Sequence, residues 1–473
     1  MADPTINLLA IERGTITAPA GCGKTHLIAE TLTRHSGPKP ILILTHTNSG
    51  VAALRARLDK KGVAPRQYRL STIDGWALRL LGVFPKRAEI ESSLLTVANP
   101  RTDYPAIRSA AWRLMKAGHV QDIIRSTYAR LIVDEYQDCS VTQHALIYYA
   151  APALPISVLG DPMQAIFGWQ GNELADWDKH VCVHFPVAGE LTTPWRWRNA
   201  GTEEFGLWLL DVRRKLQARE PIDLGAAPVE VSRVHLDGTE DRVRQLRAAR
   251  TAAPSQDGSV LIIGKSTSPS SQQEFASQTP GAITVEAVDL RDLVQFAREL
   301  DFLDPGALEK VADFASSVMT NVGPRDLVRR VGVLERGTER REPSDAECAA
   351  LHFKAQPTPK TAVDLLVEIS KEPGVRTHRP AVLRASIRAL QSCDGSEGNT
   401  LYDAAIRARE QNRILGRPLP KRAVGSTLLL KGLEAEVAVI LDADDLDSHN
   451  LYVAMTRGSR HLVVCSRQST LSQ

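Results

Sequence analysis

The sequence predicts an α/β protein of two units built on parallel sheets, each interrupted by a helical insertion. Three observations predict it. Short apolar, β-branched runs alternate with helically spaced segments over the first 200 residues, which calls for a parallel sheet covered on both faces. A glycine-rich turn at 18–25 joins one such run to a helical segment. From about 285 to 412 the pattern becomes all-helical, and strand-like runs then return.

In chain order, Gly14-Thr-Ile-Thr17 reads as a strand, Thr25 to Arg34 as a helix and Ile41-Leu-Ile-Leu-Thr45 as a buried strand. Val51, Leu54 and Leu58 follow helical spacing, with Asn48 as the expected cap and Gly62 as the stop. Ile73, Trp76, Ala77, Leu80 and Leu81 mark one face of the next helix. Arg130–Val133 and Ile156–Leu159 are again strand-like. Val229–Leu236 and Val260–Gly264 read as strands of the second unit, and Val437 and Leu462–Val464 as its later strands. Between them lie helical stretches at Leu290–Leu303, Ala362–Lys371 and Pro380–Leu390, bracketed by Pro-containing breaks at 266–270 and 417–420. The expected boundaries are 1–200 for the first unit, with a short helical insertion at about 82–128. The second unit takes 201–284 plus 413–473, and 285–412 forms its helical insertion. All seven Trp lie at or before residue 208, so the two halves are differently built.

Composition narrows the class. Apolar residues make up 43% and charged residues 24%, an ordinary globular balance that excludes fibrous and wholly disordered chains. The net charge of +3, from 58 basic and 55 acidic residues, excludes a histone-like binder that works by bulk charge. The six Cys are scattered, no two within four residues, so no C-x-x-C zinc or redox pattern exists and a reducing compartment is expected. No basic stretch followed by an apolar run opens the chain, and no apolar run approaches the roughly 20 residues of a membrane helix. A cytoplasmic protein with no membrane partner is the expectation.

Two motifs carry chemistry. Ala18-Pro-Ala-Gly21-Cys-Gly23-Lys24-Thr25 has P-loop spacing, with Ala18 in place of the first Gly, between a strand and a helix. Glycines let backbone N–H groups curl around a phosphate, and the helix N-terminus adds partial positive charge. Lys24 would reach the β- and γ-phosphates of ATP, and the Thr25 hydroxyl would hold Mg²⁺. Leu131-Ile-Val-Asp134-Glu135 ends a strand in two acids. There Asp134 would complete the Mg²⁺ shell and Glu135 would orient or deprotonate the attacking water.

Asp134-Glu-Tyr-Gln-Asp138 resembles the Walker B signature of UvrD/Rep-like superfamily 1A DNA helicases, and further segments resemble their other motifs in family order. These are Thr45-His46-Thr-Asn48, Ser71-Thr72-Ile-Asp74, the stretch Leu159 to Gly171, Leu191 to Arg196, Ser426 to Glu434 and Tyr452 to Arg457. The resemblance covers 14–200 and 424–467. It implies two RecA-like domains with ATP between them and 3′→5′ movement on single-stranded or tailed DNA. It also implies roles for particular residues. Gln164 would sense the γ-phosphate, Arg196 and Arg457 would face it from the second domain, Trp195 would stack on adenine and Glu434 would contact the ribose. Phe167, Trp169 and His46 would offer aromatic faces to bases, with Asn48 and Thr72 on the same nucleic-acid track.

The chain departs from the family pattern in places. No glutamine motif precedes the P-loop, His46 replaces an aromatic, and Asp74 and Leu428 stand where His is usual. An acid at 74 would repel phosphate. The compact length and Thr72-Ile-Asp-Gly-Trp76 also resemble the UvrD-like subunit of Gabija-type anti-phage systems, which works beside a nuclease. Two functions therefore stand: a DNA helicase or translocase, and an ATPase switch subunit that regulates a partner nuclease with little unwinding of its own. The mixed-charge run Glu335 to Glu342 reads as a solvated loop or a docking surface.

Overall fold

The computed structural model describes residues 6–168, 173–265, 267–286, 290–394, 396, 399–414 and 420–472; at 49 and 410–414 the backbone alone is described. The fold class is the expected one, α/β on two six-stranded sheets. The chain divides into two compact units. The first is Met1–Ser232 with Leu446–His461 and Gln468–Gln473, and the second is Arg233–Asp445 with Leu462–Arg467. The expected boundary lay at 200. The first unit runs on to Ser232 because helix Glu203–Ala218 buries Phe205, Leu209, Val212 and Leu216 there.

The first sheet comprises β1 (Arg13–Thr17), β2 (Ile41–Thr45), β3 (Tyr68–Thr72), β4 (Arg130–Val133), β5 (Ile156–Gly160) and β6 (Val187–Glu190). Its order is β3-β2-β4-β5-β1-β6, and every pairing is parallel. β2, β4 and β5 are buried along their whole length, which is why they read as continuous apolar runs and not as alternating ones. One face packs Leu42, Leu44, Leu131 and Val133 on Trp76, Leu80 and Leu114; the other packs Ile41, Ile43 and Ile132 on Ile28, Leu32, Leu54 and Leu58.

The second helix begins at Asn48, but its cap is Thr47, not Asn48 as expected: the Thr47 hydroxyl accepts from Gly50 N at 3.1 Å. Within 82–128 lie helices Pro100–Lys116 and Gln121–Thr127 and a 3₁₀ turn at Ser92–Thr96. Asp74 does not stand as an open acid. Arg108 donates to it through Nε at 2.8 Å and Nη2 at 2.6 Å, and Gln143 Nε2 donates at 3.0 Å. That fork ties helix Ile73–Val83 to the inserted helix Pro100–Lys116, so the expected repulsion of phosphate is cancelled where it would arise.

A short pair, β7 (Ile222–Asp223) and β14 (Thr470–Leu471), is antiparallel. The second large sheet holds β8 (Val231–His235), β9 (Val260–Ile263), β10 (Ile283–Thr284), β11 (Arg422–Gly425), β12 (Ala435–Ile440) and β13 (Gly458–Ser466), in the order β10-β11-β9-β12-β13-β8. β10–β11, β11–β9 and β9–β12 pair in parallel. The helices between β10 and β11 start at Arg291 and reach Ile414. They share one core in which Phe296 stacks on Phe314 at 4.0 Å. Two of them extend beyond the sequence reading, to Pro359–Lys371 and Pro380–Ser392, whereas the first stops early, at Glu299. The breaks expected at 266–270 and 417–420 lie partly outside the described residues. The run Glu335 to Glu342 is mostly exposed, and both Arg330 and Arg341 reach back from it or its helix to the buried Glu347.

A histidine pair packs beneath Tyr136. The Tyr136 hydroxyl lies 2.8 Å from His144 Nδ1, and His144 Nε2 lies 2.8 Å from His184 Nδ1. Burial, with His184 and His180 adding to it, pushes the His144 pKa down to about 4. A histidine whose folded pKa is depressed contributes stability above its unfolded value near 6.5 and loses it as pH falls through 4. The loss attributable to His144 at pH 4 is on the order of 3 kcal/mol. Tryptophan fluorescence reports the first unit alone, since every Trp lies at or before 208. The fluorescence melting temperature is expected to fall between pH 6.5 and 4, and H144Q to flatten that decline; an unchanged slope in H144Q would place the acid sensitivity elsewhere.

Candidate nucleotide-binding and hydrolysis site

The carboxyl ends of β4, β5, β1 and β6 lie side by side in the first sheet. They lead into Asp134–Glu135, Asp161–Gln164, the P-loop and Thr192–Trp195 respectively. Ligands of open parallel sheets bind at such strand ends.

The P-loop is shaped by two left-handed glycines, Gly21 at φ +71 and Gly23 at φ +91. A side chain at either would also collide with tryptophan: a Cβ at Gly21 would sit 2.4 Å from the Trp197 ring, and one at Gly23 3.0 Å from Trp195. Arg196 N donates to Gly21 O at 3.0 Å, so the segment after β6 is bonded directly to the loop. Trp197 is buried and donates from Nε1 to Gly458 O at 2.9 Å. Trp195 is 43% exposed beside Gly23, with the Arg198 guanidinium 5.1 Å from its ring. Gly23 caps helix Lys24–Arg34 with no side-chain bond to its first N–H groups, which leaves them oriented for an anion. Ala18, Gly21, Gly23, Lys24 and Thr25 therefore form one turn, with Thr25 in the first turn of the helix.

Lys24 Nζ lies 2.8 Å from Asp134 Oδ1 and 2.6 Å from Glu135 Oε1. Burial works against the ammonium, but Asp134 and Glu135 outweigh it and raise the Lys24 pKa above its usual value. Burial pushes the Asp134 pKa up, and the Lys24 charge opposes that. Glu135 is left-handed at φ 55, an uncommon conformation for a residue with a side chain, and its N–H donates to Asp134 Oδ1 at 2.9 Å.

From Glu135 a chain of hydrogen bonds runs across the strand ends. Gln137 Nε2 donates to Glu135 Oε2 at 2.7 Å, and Gln137 Oε1 accepts from Asp161 N at 3.1 Å. Asp161 Oδ2 accepts from Gln164 Nε2 at 3.1 Å, and Gln164 Oε1 accepts from Arg457 Nη2 at 3.4 Å. Arg457 is buried and also donates from Nε to Val453 O at 2.8 Å. Arg196 Nη1 donates to Thr456 O at 2.6 Å, so both arginines meet at one turn, and both lie in the first compact unit. Tyr452 closes the group: its hydroxyl accepts from Ala20 N at 3.3 Å, and burial raises its pKa well above the usual phenol value.

The residues fit ATP and Mg²⁺. A glycine cradle that any Cβ would obstruct, a largely desolvated lysine and a hydroxyl–carboxylate pair are oxygen donors and cations suited to a hydrated Mg²⁺–phosphate. Among the described residues no group of three or more His, Cys, Asp or Glu could hold a metal by itself, so Thr25 and Asp134 would share Mg²⁺ with phosphate and water.

Of the expected nucleic-acid residues, His46 and Phe167 come together, ring centroids 5.4 Å apart. Asn48 is exposed at its helix start, and the Thr72 hydroxyl accepts from Gly75 N at 3.0 Å as a cap. Trp169 lies outside the described residues, and Glu434 lies in the second unit, just before β12. The sequence reading missed Gln137, Asp161, Trp197, Tyr452 and Arg213. Arg213 had a visible signal: it falls at i+8 and i+4 from Phe205 and Leu209, on the buried stripe of its helix, where a charge must be paired.

Residues 96–179 match the family model of the UvrD/REP helicase N-terminal domain. A curated relative, the Gabija protein GajB of Bacillus cereus (strain VD045), is 26% identical over 193 residues, covering 33% of this chain and 38% of that protein. The match thus spans well under half of the relative's length. Among solved structures, Pif1 helicase from Candida albicans is similar at 13% identity and a TM-score of 0.38, over 98% of this chain and 93% of that one. An arterivirus nonstructural protein 10 helicase in complex with DNA is similar at 10% identity and a TM-score of 0.35, over 97% of this chain and 61% of that one. The Asp134–Glu135 pair and Gln164 lie inside the matched segment, so this part of the chain is similar to the UvrD/REP helicase N-terminal domain.

Proposed function

We propose that this protein hydrolyses ATP with Mg²⁺ and uses the cycle to move along single-stranded or tailed DNA, in the 3′→5′ direction that the UvrD/Rep resemblance implies. The observation that carries the hydrolysis is the meeting of Lys24, Asp134 and Glu135, linked through Gln137, Asp161 and Gln164 to Arg457. We also propose the domain organisation of the family, with 285–412 as the inserted helical domain of a second RecA-like domain, and Glu434 and Trp195 at ribose and adenine.

The chemistry follows from the charges. An incoming γ-phosphate competes with Asp134 and Glu135 for Lys24, which frees Glu135 to accept a proton. Water attacks the γ-phosphorus, its proton passes to Glu135, and the bond to the β-phosphate oxygen breaks. Thr25 and Asp134 would hold Mg²⁺, which would supply charge neutralisation to the phosphates. Arg457 and Arg196 place fixed positive charge where negative charge spreads in the transition state, and Gln164 links Arg457 to Asp161.

A second reading is favoured by the GajB similarity: an ATPase switch subunit of an anti-phage complex, bound to DNA and to a nuclease partner. In that reading the single chain unwinds poorly. Single-turnover unwinding of a 3′-tailed duplex is then slow and fails first as salt rises, and a partner recovered from the native host raises ATP turnover. Robust processive unwinding by the purified chain, with no partner recovered, leaves the helicase reading alone.

Three variants test the hydrolysis. K24A is expected to abolish turnover. E135Q is expected to keep nucleotide binding while turnover falls about 100-fold or more, in the range for loss of a general base. Retention of more than about a tenth of the wild-type rate in E135Q contradicts the base assignment. R457A is expected to lower kcat about 100-fold or more with nucleotide affinity little changed, and an unaffected kcat removes Arg457 from the site.

A further inference from the structure

Helix Glu203–Ala218 delivers one charge into the strand ends that the hydrolysis scheme does not use. Arg213 Nε donates to Asp161 Oδ1 at 2.9 Å, with side-chain exposures of 9% and 1%. We propose that Arg213 is a positioning residue for hydrolysis: by holding Asp161 it fixes the amide orientations of Gln164 and Gln137, and through them Arg457 and Glu135. The inference rests on the ATPase reading of this site.

Asp161 is the hub. Oδ1 accepts from Arg213 Nε and from Met163 N at 3.2 Å, and Oδ2 is left for Gln164 Nε2. A carboxylate oxygen accepts only, so the Gln164 amide must turn its NH₂ toward Asp161 and its oxygen toward Arg457. In the flipped amide, oxygen would face carboxylate and NH₂ would face guanidinium, repulsive on both sides. The backbone N–H of the same residue fixes Gln137 in the same way: Oε1 toward Asp161 N, NH₂ toward Glu135 Oε2. One residue thus orients the groups on either flank of the site, Gln164 through its carboxylate and Gln137 through its backbone N–H.

That hub depends on Arg213. Asp161 is 1% exposed, and a carboxylate buried this deeply is held in place only with a cation beside it. Arg213 is itself constrained: Nη1 lies 3.5 Å from Glu190 Oε1 and donates to Gln217 Oε1 at 3.3 Å, so it reaches Asp161 edge-on through Nε. Burial opposes the guanidinium charge, and Asp161 with the neighbouring acids more than offsets it. With a neutral residue at 213, Asp161 Oδ1 loses the cation that balances and holds it, so Oδ2 is no longer fixed toward Gln164 and the Gln164–Arg457 contact is released.

The test compares wild type, R213K, R213Q and the double variant D161N/R213Q in the full chain, for ATP turnover and for affinity toward a fluorescent ATP analogue with Mg²⁺. In R213Q, kcat is expected to fall about 100-fold, the usual cost of misplacing catalytic groups, while affinity changes less than about 3-fold. R213K, which keeps the cation and one donor, is expected to recover most of the rate. A merely structural Arg213 would lower affinity and kcat together, with R213K no better than R213Q, and that result overturns the proposal. If R213Q does not fold, the double variant decides, because it buries no unpaired charge: a kcat still about 100-fold down supports positioning, and a wild-type kcat overturns it. If wild type neither binds nor hydrolyses ATP, the hydrolysis reading falls and takes this proposal with it. Normal wild-type turnover with an indifferent R213Q overturns the proposal alone.

Discussion

Lys24 is a largely desolvated ammonium, its side chain 13% exposed, and desolvation alone would drive such a group toward its neutral form. It stays charged because Asp134 and Glu135 stand at 2.8 and 2.6 Å. The compensation must come from another strand, since the P-loop itself carries no acid. β4 supplies it, two places from β1 in the sheet, and β5 lies between them. The order β4-β5-β1 is therefore an electrostatic requirement as much as a topological one. β5 brings another acid, Asp161, to the same edge, and a carboxylate buried to 1% exposure would be untenable there without its own cation. Arg213 is that cation, and it comes from a helix that follows all six strands of the sheet.

Backbone strain is spent in a consistent direction. Gly21 and Gly23 adopt left-handed conformations without cost, because glycine has no Cβ to clash. Glu135 adopts one at a cost of about 1–2 kcal/mol. Its N–H bond to Asp134 Oδ1, the ion pair with Lys24 and the bond from Gln137 Nε2 hold it there. The first two depend on the same charge balance. In the proposed hydrolysis, a phosphate that draws Lys24 away would weaken one of these restraints as the Glu135 carboxylate is needed as a base.

β2, β4, β5 and β9 and the P-loop were legible because their signals are local: continuous apolar runs for buried strands, and glycine spacing for the phosphate turn; β3, β6, β10 and β11 carry no such run and went unread. The Asp134–Glu135 pair was legible as a strand terminus. What local pattern could not show was pairing at a distance. Asp74 reads as an acid facing phosphate until Arg108, 34 residues on, closes over it. Thr47 and Asn48 are both good caps, and only the bond to Gly50 N distinguishes them. Gln137 and Asp161 lie in recognisable segments, yet their importance comes from bonding to each other across two strands. Arg213 was within reach of the sequence, as a charge on an otherwise apolar helical stripe.

The sheet also separates two kinds of work. β3 and β2, at one side, end in Thr72, His46 and Asn48, whereas β4, β5, β1 and β6 end in the acids, the P-loop and the segment bearing Trp195 and Arg196. A single segment reaches from one half to the other: Gln164 bonds Asp161 and Arg457, and Phe167, three residues on, packs 5.4 Å from His46. The neutralised Asp74 changes what the first half can offer. With both carboxylate oxygens saturated by Arg108 and Gln143, it neither repels phosphate nor grips it; it anchors the inserted helix instead. The His46–Phe167 ring pair stands on this side of the sheet, beside the paired Asp74. In the proposed cycle, a change in Gln164 on loss of the γ-phosphate would have three residues of backbone through which to reach the His46–Phe167 pair.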